Sequence, residues 1–357
     1  MRLVRRASLK APGWSITDGP PVACPSGIVV GGKTVANYDR DTLRPIWRID
    51  ESLAIRGCFG HVVVGEHDLE DPSIAVDAIQ ANAHVRIPRL AVGIDSRTGQ
   101  SIWRRKVAFG PWAVGDELVA LSWERNEIHL LEPSTGEQRR SLREVVRDEC
   151  PMAAPIGRWA QLLFFSGASH RRLEDPVCAV NLESGDIVWR RSLVAVTREL
   201  TGTSRNLGAI GVSADHIIFT AADDVVAFSC DTGQHVWTQR LPDMHWASEV
   251  TPKLVLVAGP RPPGVAWIDA ATGALGHPSD KPGLRGESFE VHGTFRGQLV
   301  CSSTAEYVWL IDTHRGNVSR HRIPRTEIGV AVECHQLLCL ADEGRRVLIL
   351  EARDEAA

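Results

Sequence analysis

The side chains best suited to chemistry are scattered along this chain rather than clustered. Cys334, His335 and Cys339 are the tightest group of metal-ligand types, but the run CHQLLC lacks the C-x2-C spacing of a zinc site and has no second pair beside it. The eight cysteines, at 24, 58, 150, 178, 230, 301, 334 and 339, have no disulfide framework in their spacing. They are expected as free thiols in small core positions. There is no G-x-S-x-G elbow, no H-E-x-x-H and no Walker loop. No catalytic set and no cofactor are expected from motifs. The polar residues that remain of interest are Glu149, Arg205, Asn206, His245, Trp246, Glu249, Glu287, Glu290, His292, Arg325 and Glu327. They are far apart in sequence, so only a fold that repeats can bring them together.

Such a repeat is present. The pattern apolar-x-Asp-x-x-Thr-Gly-x-x-x-Trp returns as NYDRDTLRPIW ending at Trp47, GIDSRTGQSIW at Trp103, LLEPSTGEQRR at Arg140, AVNLESGDIVW at Trp189 and AFSCDTGQHVW at Trp237. Weaker copies are WIDAATGALGH at His277, LIDTHRGNVSR at Arg320 and LILEARDEAA, in which Glu351 takes the Asp column. The glycine column falls at 43 (a Leu), 99, 136, 185, 233, 273, 316 and 355 (a Glu), in steps of 37 to 56 residues. Each copy reads as a hairpin turn: Asp or Asn accepts turn amides, Thr does so more weakly, and Gly supplies the positive φ. The Trp lies on the outgoing strand, where a large flat ring fills the gap between twisted sheets. Two further apolar runs precede each turn, as in WAVGDELVALSW, giving four antiparallel strands A, B, C and D per repeat. Four-stranded units of about 40–50 residues repeated radially make a β-propeller. The expected fold is all-β, eight four-stranded blades in a single domain over 1–357. The last repeat has no D strand, so the N-terminal segment is expected to complete it, through LVRRASL or through GWSI around Trp14.

On these turns the chain resembles the PQQ-like repeat family of eight-bladed quinoprotein propellers. That family includes PQQ-dependent alcohol and glucose dehydrogenases, and non-catalytic members similar to the scaffold lipoprotein of the outer-membrane β-barrel assembly machine. The resemblance implies the fold and is nearly silent on activity. The dehydrogenases carry an adjacent Cys-Cys pair under the quinone and bind Ca2+ through Glu, Asn and Asp. This chain has no adjacent cysteines, so it resembles the scaffold members more, and PQQ-dependent dehydrogenase activity is not expected.

Composition narrows the partners. Forty Lys and Arg against 44 Asp and Glu give a net charge of −4, which supplies no broad positive field for nucleic acid or anionic lipid. Apolar residues make up 43%, enough for a sizeable core, and no run approaches the roughly 20 residues of a membrane helix. MRLVRRASLKAPGW has basic residues but no apolar stretch behind them, so a cytoplasmic setting is expected.

In a propeller the A–B and C–D turns share one face, and the B–C and D–A connections share the other. The insertions at 67–87, 167–176, 259–264, 141–150, 193–206 and 276–287 all fall on the second face, which is expected to bind a protein partner or ligand. The 67–87 segment has a helix start at Asp71-Pro72 and an apolar stripe of Ile74, Ala78, Ala81 and Val85. That stripe suits either a lid or a helix packed on its own rim. The eleven polar residues named above sit at or near the starts of the innermost strands, as a rim round the central channel mouth. Their convergence suits an anion, a metal or a partner side chain. The plainer reading is a solvated, charge-rich mouth. No metal site is expected, although His245 and His292, with Glu249 or Glu290, make the best pair for one. The alternative to a scaffold is an enzyme or a small-molecule or metal-binding protein with its site at this mouth.

Overall fold

The computed structural model describes residues 2–10, 19–68, 89–122, 127–142, 153–167, 177–192, 207–213, 215–221, 224–240, 246–251, 254–260, 263–276, 290–304, 307–312, 315, 317–323, 328–342 and 346–353. Every regular element among them is a strand. β1 (Arg2–Lys10) stands ahead of the first repeat, which is β2 (Val22–Cys24), β3 (Gly27–Val30), β4 (Val35–Tyr38) and β5 (Pro45–Ile49). The second and third repeats are β6 (Ala54–Phe59), β7 (Val62–Asp68), β8 (Arg89–Asp95), β9 (Ser101–Val114), β10 (Glu117–Ser122), β11 (Ile128–Leu131) and β12 (Gln138–Leu142). These form one seven-stranded sheet, because the long β9 is the D strand of the second repeat and the A strand of the third.

The fourth repeat is β13 (Ala153–Trp159), β14 (Leu162–Gly167), β15 (Val177–Asn181) and β16 (Ile187–Arg191). The fifth is β17 (Leu207–Ser213), β18 (His216–Ala221), β19 (Asp224–Ser229) and β20 (His235–Arg240). The sixth is β21 (Trp246–Thr251), β22 (Leu254–Pro260), β23 (Pro263–Asp269) and β24 (Leu275–Gly276). The seventh is β25 (Glu290–Phe295), β26 (Gln298–Thr304), β27 (Tyr307–Ile311) and β28 (Val318–Arg322), and the last is β29 (Ile328–Cys334), β30 (Leu337–Asp342) and β31 (Arg346–Arg353). Each is an antiparallel sheet in chain order, and β1 adds to β31 as the fourth strand of the last. Of the two N-terminal segments that could complete that repeat, the structure uses LVRRASL; Trp14 lies outside the described residues.

Contacts divide the chain into two compact units, Met1–Arg143 with Glu327–Ala357, and Glu144–Thr326. Within each, the A strands of successive repeats touch: β29, β2, β6 and β9 in one, β13, β17, β21 and β25 in the other. The cores lie between sheets, and one strand serves two of them. On β3, Ile28 and Val30 pack with Leu9, Val347 and Ile349, while Val29 packs with Ile55, Val63 and Ile94. Val62 and Val64 then turn to Leu118 and Leu131 of the third repeat. In the second unit Ile217 and Phe219 pack with Phe164, whereas Ile218 packs with Ile268. Successive strand residues point to opposite faces, so a strand buried on both faces must be apolar throughout. That is why GIVV and LVALS lack alternation.

The signature turns do what their residues dictate. Asp269 Oδ1 accepts the amides of Ala271 (3.1 Å) and Thr272 (2.8 Å), and Asp95 and Asn181 play the same part. Thr272 Oγ1 in turn accepts the Ala274 amide at 3.3 Å. Hydrogen bonds from Arg97 lower the Asp95 carboxyl to about 2. Gly99 sits at φ +74°, and a Cβ there would stand 2.8 Å from the Trp47 ring. Leu43, in the glycine column of the first repeat, is held at φ 55°.

The Trp is a latch between repeats. Nε1 of Trp47, Trp103, Trp189 and Trp237 donates to the carbonyls of Ser96, Pro133, Cys230 and Ala270, each the residue after the Asp column of the following repeat. Trp103 and Trp237 are buried, while Trp47 and Trp189 are half-buried. The arginines after the Trp add to the latch: Arg105 and Arg191 donate to the Gly136 and Thr232 carbonyls of the next turn, and Arg104 pairs with Glu51.

Candidate interaction face

Every A–B turn is two residues long and every C–D turn five or six. In an antiparallel sheet these leave from one end, and the B–C and D–A connections from the other. The second end carries residues 69–88 between β7 and β8, 168–176 between β14 and β15, 192–206 between β16 and β17, and 277–289 between β24 and β25. One expected insertion is absent. β22 and β23 pair through Gly259–Gly264 and Pro260–Pro263, so 259–264 is a tight hairpin rather than a loop. The helix read at Asp71–Val85 lies outside the described residues.

The stem of the longest connection is fixed by charge. Glu66, 4% exposed at its side chain, receives Arg56 Nε at 2.9 Å and Arg89 Nη1 at 2.6 Å, with Arg56 Nη2 also in contact. A buried carboxylate needs compensation of this kind, and charge-assisted bonds from two guanidinium groups supply it. Arg56 is the bulged residue between Ile55 and Gly57 on β6. The same bulge-then-Gly step places His292 ahead of Gly293 on β25, where the side chain, largely buried, meets Ser302 Oγ at 2.7 Å. Glu66 pairs with Ala54 and Ser302 with Glu290, so Arg56–Glu66 and His292–Ser302 occupy matching positions in two repeats. Sequence reasoning missed Arg56, Glu66 and Arg89. The shared offset of RGCF and HGTF from their turns was the available signal.

Of the eleven residues proposed for the rim, Trp246 and Glu249 lie on β21, and Glu290 and His292 on β25. These two inner strands touch one another. Glu149, Arg205, Asn206, His245, Glu287, Arg325 and Glu327 lie outside the described residues, so the His245–His292 pair does as well. Among the described residues no group of three or more His, Cys, Asp or Glu is placed to hold a metal ion. Asp224, at the start of β19, is buried.

A cleft of about 510 Å3 opens between the middle of β9 and the sheet β10–β12, lined by Arg104, Arg105, Lys106, Ser122, His129 and Gln138 over Ala120 and Leu131. Its cations already serve the fold. Arg104 meets Glu51 at 2.8 Å and Arg105 the Gly136 carbonyl at 3.0 Å, while His129 lies 3.5 Å from Glu127. The cleft is a notch beside the strand that two repeats share.

Residues 173–337 match the family model of outer membrane protein assembly factor BamB. The repeats in that stretch resemble the PQQ-like pattern. At low identity, solved structures are similar to the chain in fold. BamB from Moraxella catarrhalis is 14% identical, with 100% of each chain covered and a TM-score of 0.62. Sqt1 from Saccharomyces cerevisiae is 10% identical, with 99% of this chain and 100% of that one covered and a TM-score of 0.64. The Dos1 propeller is 10% identical over 96% and 95%, with a TM-score of 0.56. These likenesses show a β-propeller fold. No curated protein sequence matches the chain.

Proposed function

We propose that the chain is a single eight-bladed PQQ-like propeller that works in the cytoplasm as a binding scaffold. It holds a protein partner on the end from which the B–C and D–A connections leave. The observation that carries this reading is the inequality of the two ends: two to six residues per turn on one, up to twenty on the other. Long connections on a rigid scaffold are where binding residues concentrate. The polar rim from Glu149 to Glu327, with Trp246, Glu249, Glu290 and His292 on adjoining inner strands, is the proposed contact surface. The matching family model describes an assembly factor, which favours a protein partner over a substrate. That the seven described cysteines are all free thiols is in keeping with a reducing compartment.

The test is affinity purification of the full chain, identification of what it retains, and titration with that purified partner. Arg205→Glu, Glu249→Lys and Glu287→Lys are expected to weaken binding at least tenfold with little change in melting midpoint. Asp116→Lys and Asp215→Lys, at A–B turns, are expected to leave it intact. Dependence on the A–B set alone, or retention of a small molecule or metal instead of a protein, would overturn the scaffold reading. Recovery of a tagged chain outside the cytoplasmic fraction would overturn its location.

A further inference from the structure

Two pairs of cysteines stand close together in the first unit, and they differ in exposure and in the strands that carry them. Cys334 and Cys339 lie on the paired strands β29 and β30, and both are fully buried. Their mutual hydrogen bond and burial push the Cys339 thiol well above its ordinary range. Cys24 and Cys58 lie instead on β2 and β6, inner strands of different sheets that touch by packing without sharing a ladder. Both belong to the core between the first two repeats, with Cys24 buried and Cys58 half-exposed. Cys58 Sγ donates to the Gly60 carbonyl oxygen at 3.3 Å, and the two thiols stand close enough to perturb one another.

Cys24 opens the turn Cys24-Pro25-Ser26-Gly27, which folds back over its own sulfur. Ser26 Oγ stands 3.2 Å away, and Sγ is 3.4 Å from the Gly27 carbonyl, to which the thiol donates. The hydrogen bond from Cys58, then those from Ser26 and Gly27, outweigh burial and lower the Cys24 thiol to about 6. The same hydrogen bond, burial and repulsion by Cys24 raise Cys58. The two thiols are therefore unlike in acidity, and one of them is half-exposed to water. Such a pair, a thiolate-forming sulfur beside an accessible partner, is the arrangement in which oxidation ends in a disulfide rather than an acid.

We propose that Cys24 and Cys58 are a redox-active dithiol which a peroxide converts to a disulfide, stapling the inner strands of the first two repeats. One sulfur takes an oxygen from hydrogen peroxide and releases water, becoming a sulfenic acid. The other displaces that oxygen as a second water. Two thiols and one peroxide thus give one disulfide and two waters, with the two electrons passing to the peroxide. Sequence reading had singled out Cys334 and Cys339 alone; the signal it passed over is that Cys24 and Cys58 end or nearly end the A strands of consecutive repeats.

The experiment treats the reduced full-length protein with hydrogen peroxide, blocks remaining thiols after denaturation and maps peptides without reduction. A Cys24–Cys58 cross-link is expected, with two thiols lost per chain, while Cys334 and Cys339 remain alkylatable. Dithiothreitol should reverse the change. In Cys58→Ser the cross-link should vanish and a dimedone adduct appear at Cys24. Three results would overturn the proposal: no thiol loss at peroxide levels that oxidise added dithiothreitol, a cross-link formed first between other cysteines, or stable sulfenic or sulfinic acid at either residue of the wild-type pair.

Discussion

The two ends of these repeats are built by different rules. At the A–B and C–D end the turns are two to six residues long, Asp and Thr side chains of the C–D turns cap their own amides, and the Trp of one repeat bonds the turn of the next. At the other end the B–C connections alone run from two to twenty residues, and charge rather than repeated geometry ties the longest one down, through Glu66 between Arg56 and Arg89. The first end holds the sheets to one another. The second inherits that rigidity and is free to vary, which is the condition under which a surface diverges toward a partner while the fold stays put.

Experiments on stability sharpen this contrast. Removing residues 2–10 should have the largest effect, because it strips the partner from β31 and uncovers the core around Leu9. A loss of soluble yield or edge-to-edge association is expected in size-exclusion chromatography and thermal melts. An unchanged melting midpoint in a monomeric truncation would show that β1 does not complete the last repeat. Next come the latches. Trp103→Ala and Trp237→Ala should each cost about 3–5 kcal/mol by denaturant unfolding. Trp47→Ala and Trp189→Ala, which remove half-buried rings, should cost less. Equal costs at all four would mean that the buried ring is not what holds the turn.

Smaller still is Gly99→Ala. A side chain in the left-handed region costs about 1–2 kcal/mol, and here it also meets the Trp47 ring. At the opposite end, replacing residues 71–86 with a short Gly-Asn turn should change stability by less than about 1 kcal/mol, since loop closure depends only weakly on length. A large loss there would place structural weight on the variable end and blur the distinction between the two.

The repeat was legible because its chemistry is local. Asp, Thr, Gly and Trp act within a turn or on the next one, so their spacing survives in the sequence at 95–103 and 269–277 even where the Trp becomes His277. The alternation of Ile28, Val29 and Val30 between two cores explains why B and C strands read as unbroken apolar runs. What sequence reasoning did not find depends on register between strands. Arg56 reaches Glu66 because a bulge turns it back along β6, and His292 turns toward Ser302 by the same step. Cys24 and Cys58 meet because two inner strands run side by side. None of these pairs has a diagnostic spacing. Likewise the choice of LVRRASL over the Trp14 segment rested on pairing with β31, which composition does not encode.

The pairing of β1 with β31 also sets a timetable. During synthesis β1 emerges ahead of β2–β30, and residues 11–345 are made before its partner follows. At about 5–20 residues per second that interval is on the order of 20–70 s. Through it Leu3, Leu9 and the free backbone of β1 travel beside a growing array of finished hairpins, none of which is their mate. The last repeat is therefore not merely last in space but the event that commits the first unit. Whatever shields β1 while it waits, whether a chaperone or transient pairing with another strand, acts on a segment whose ladder partner and core contacts form only with the last repeat.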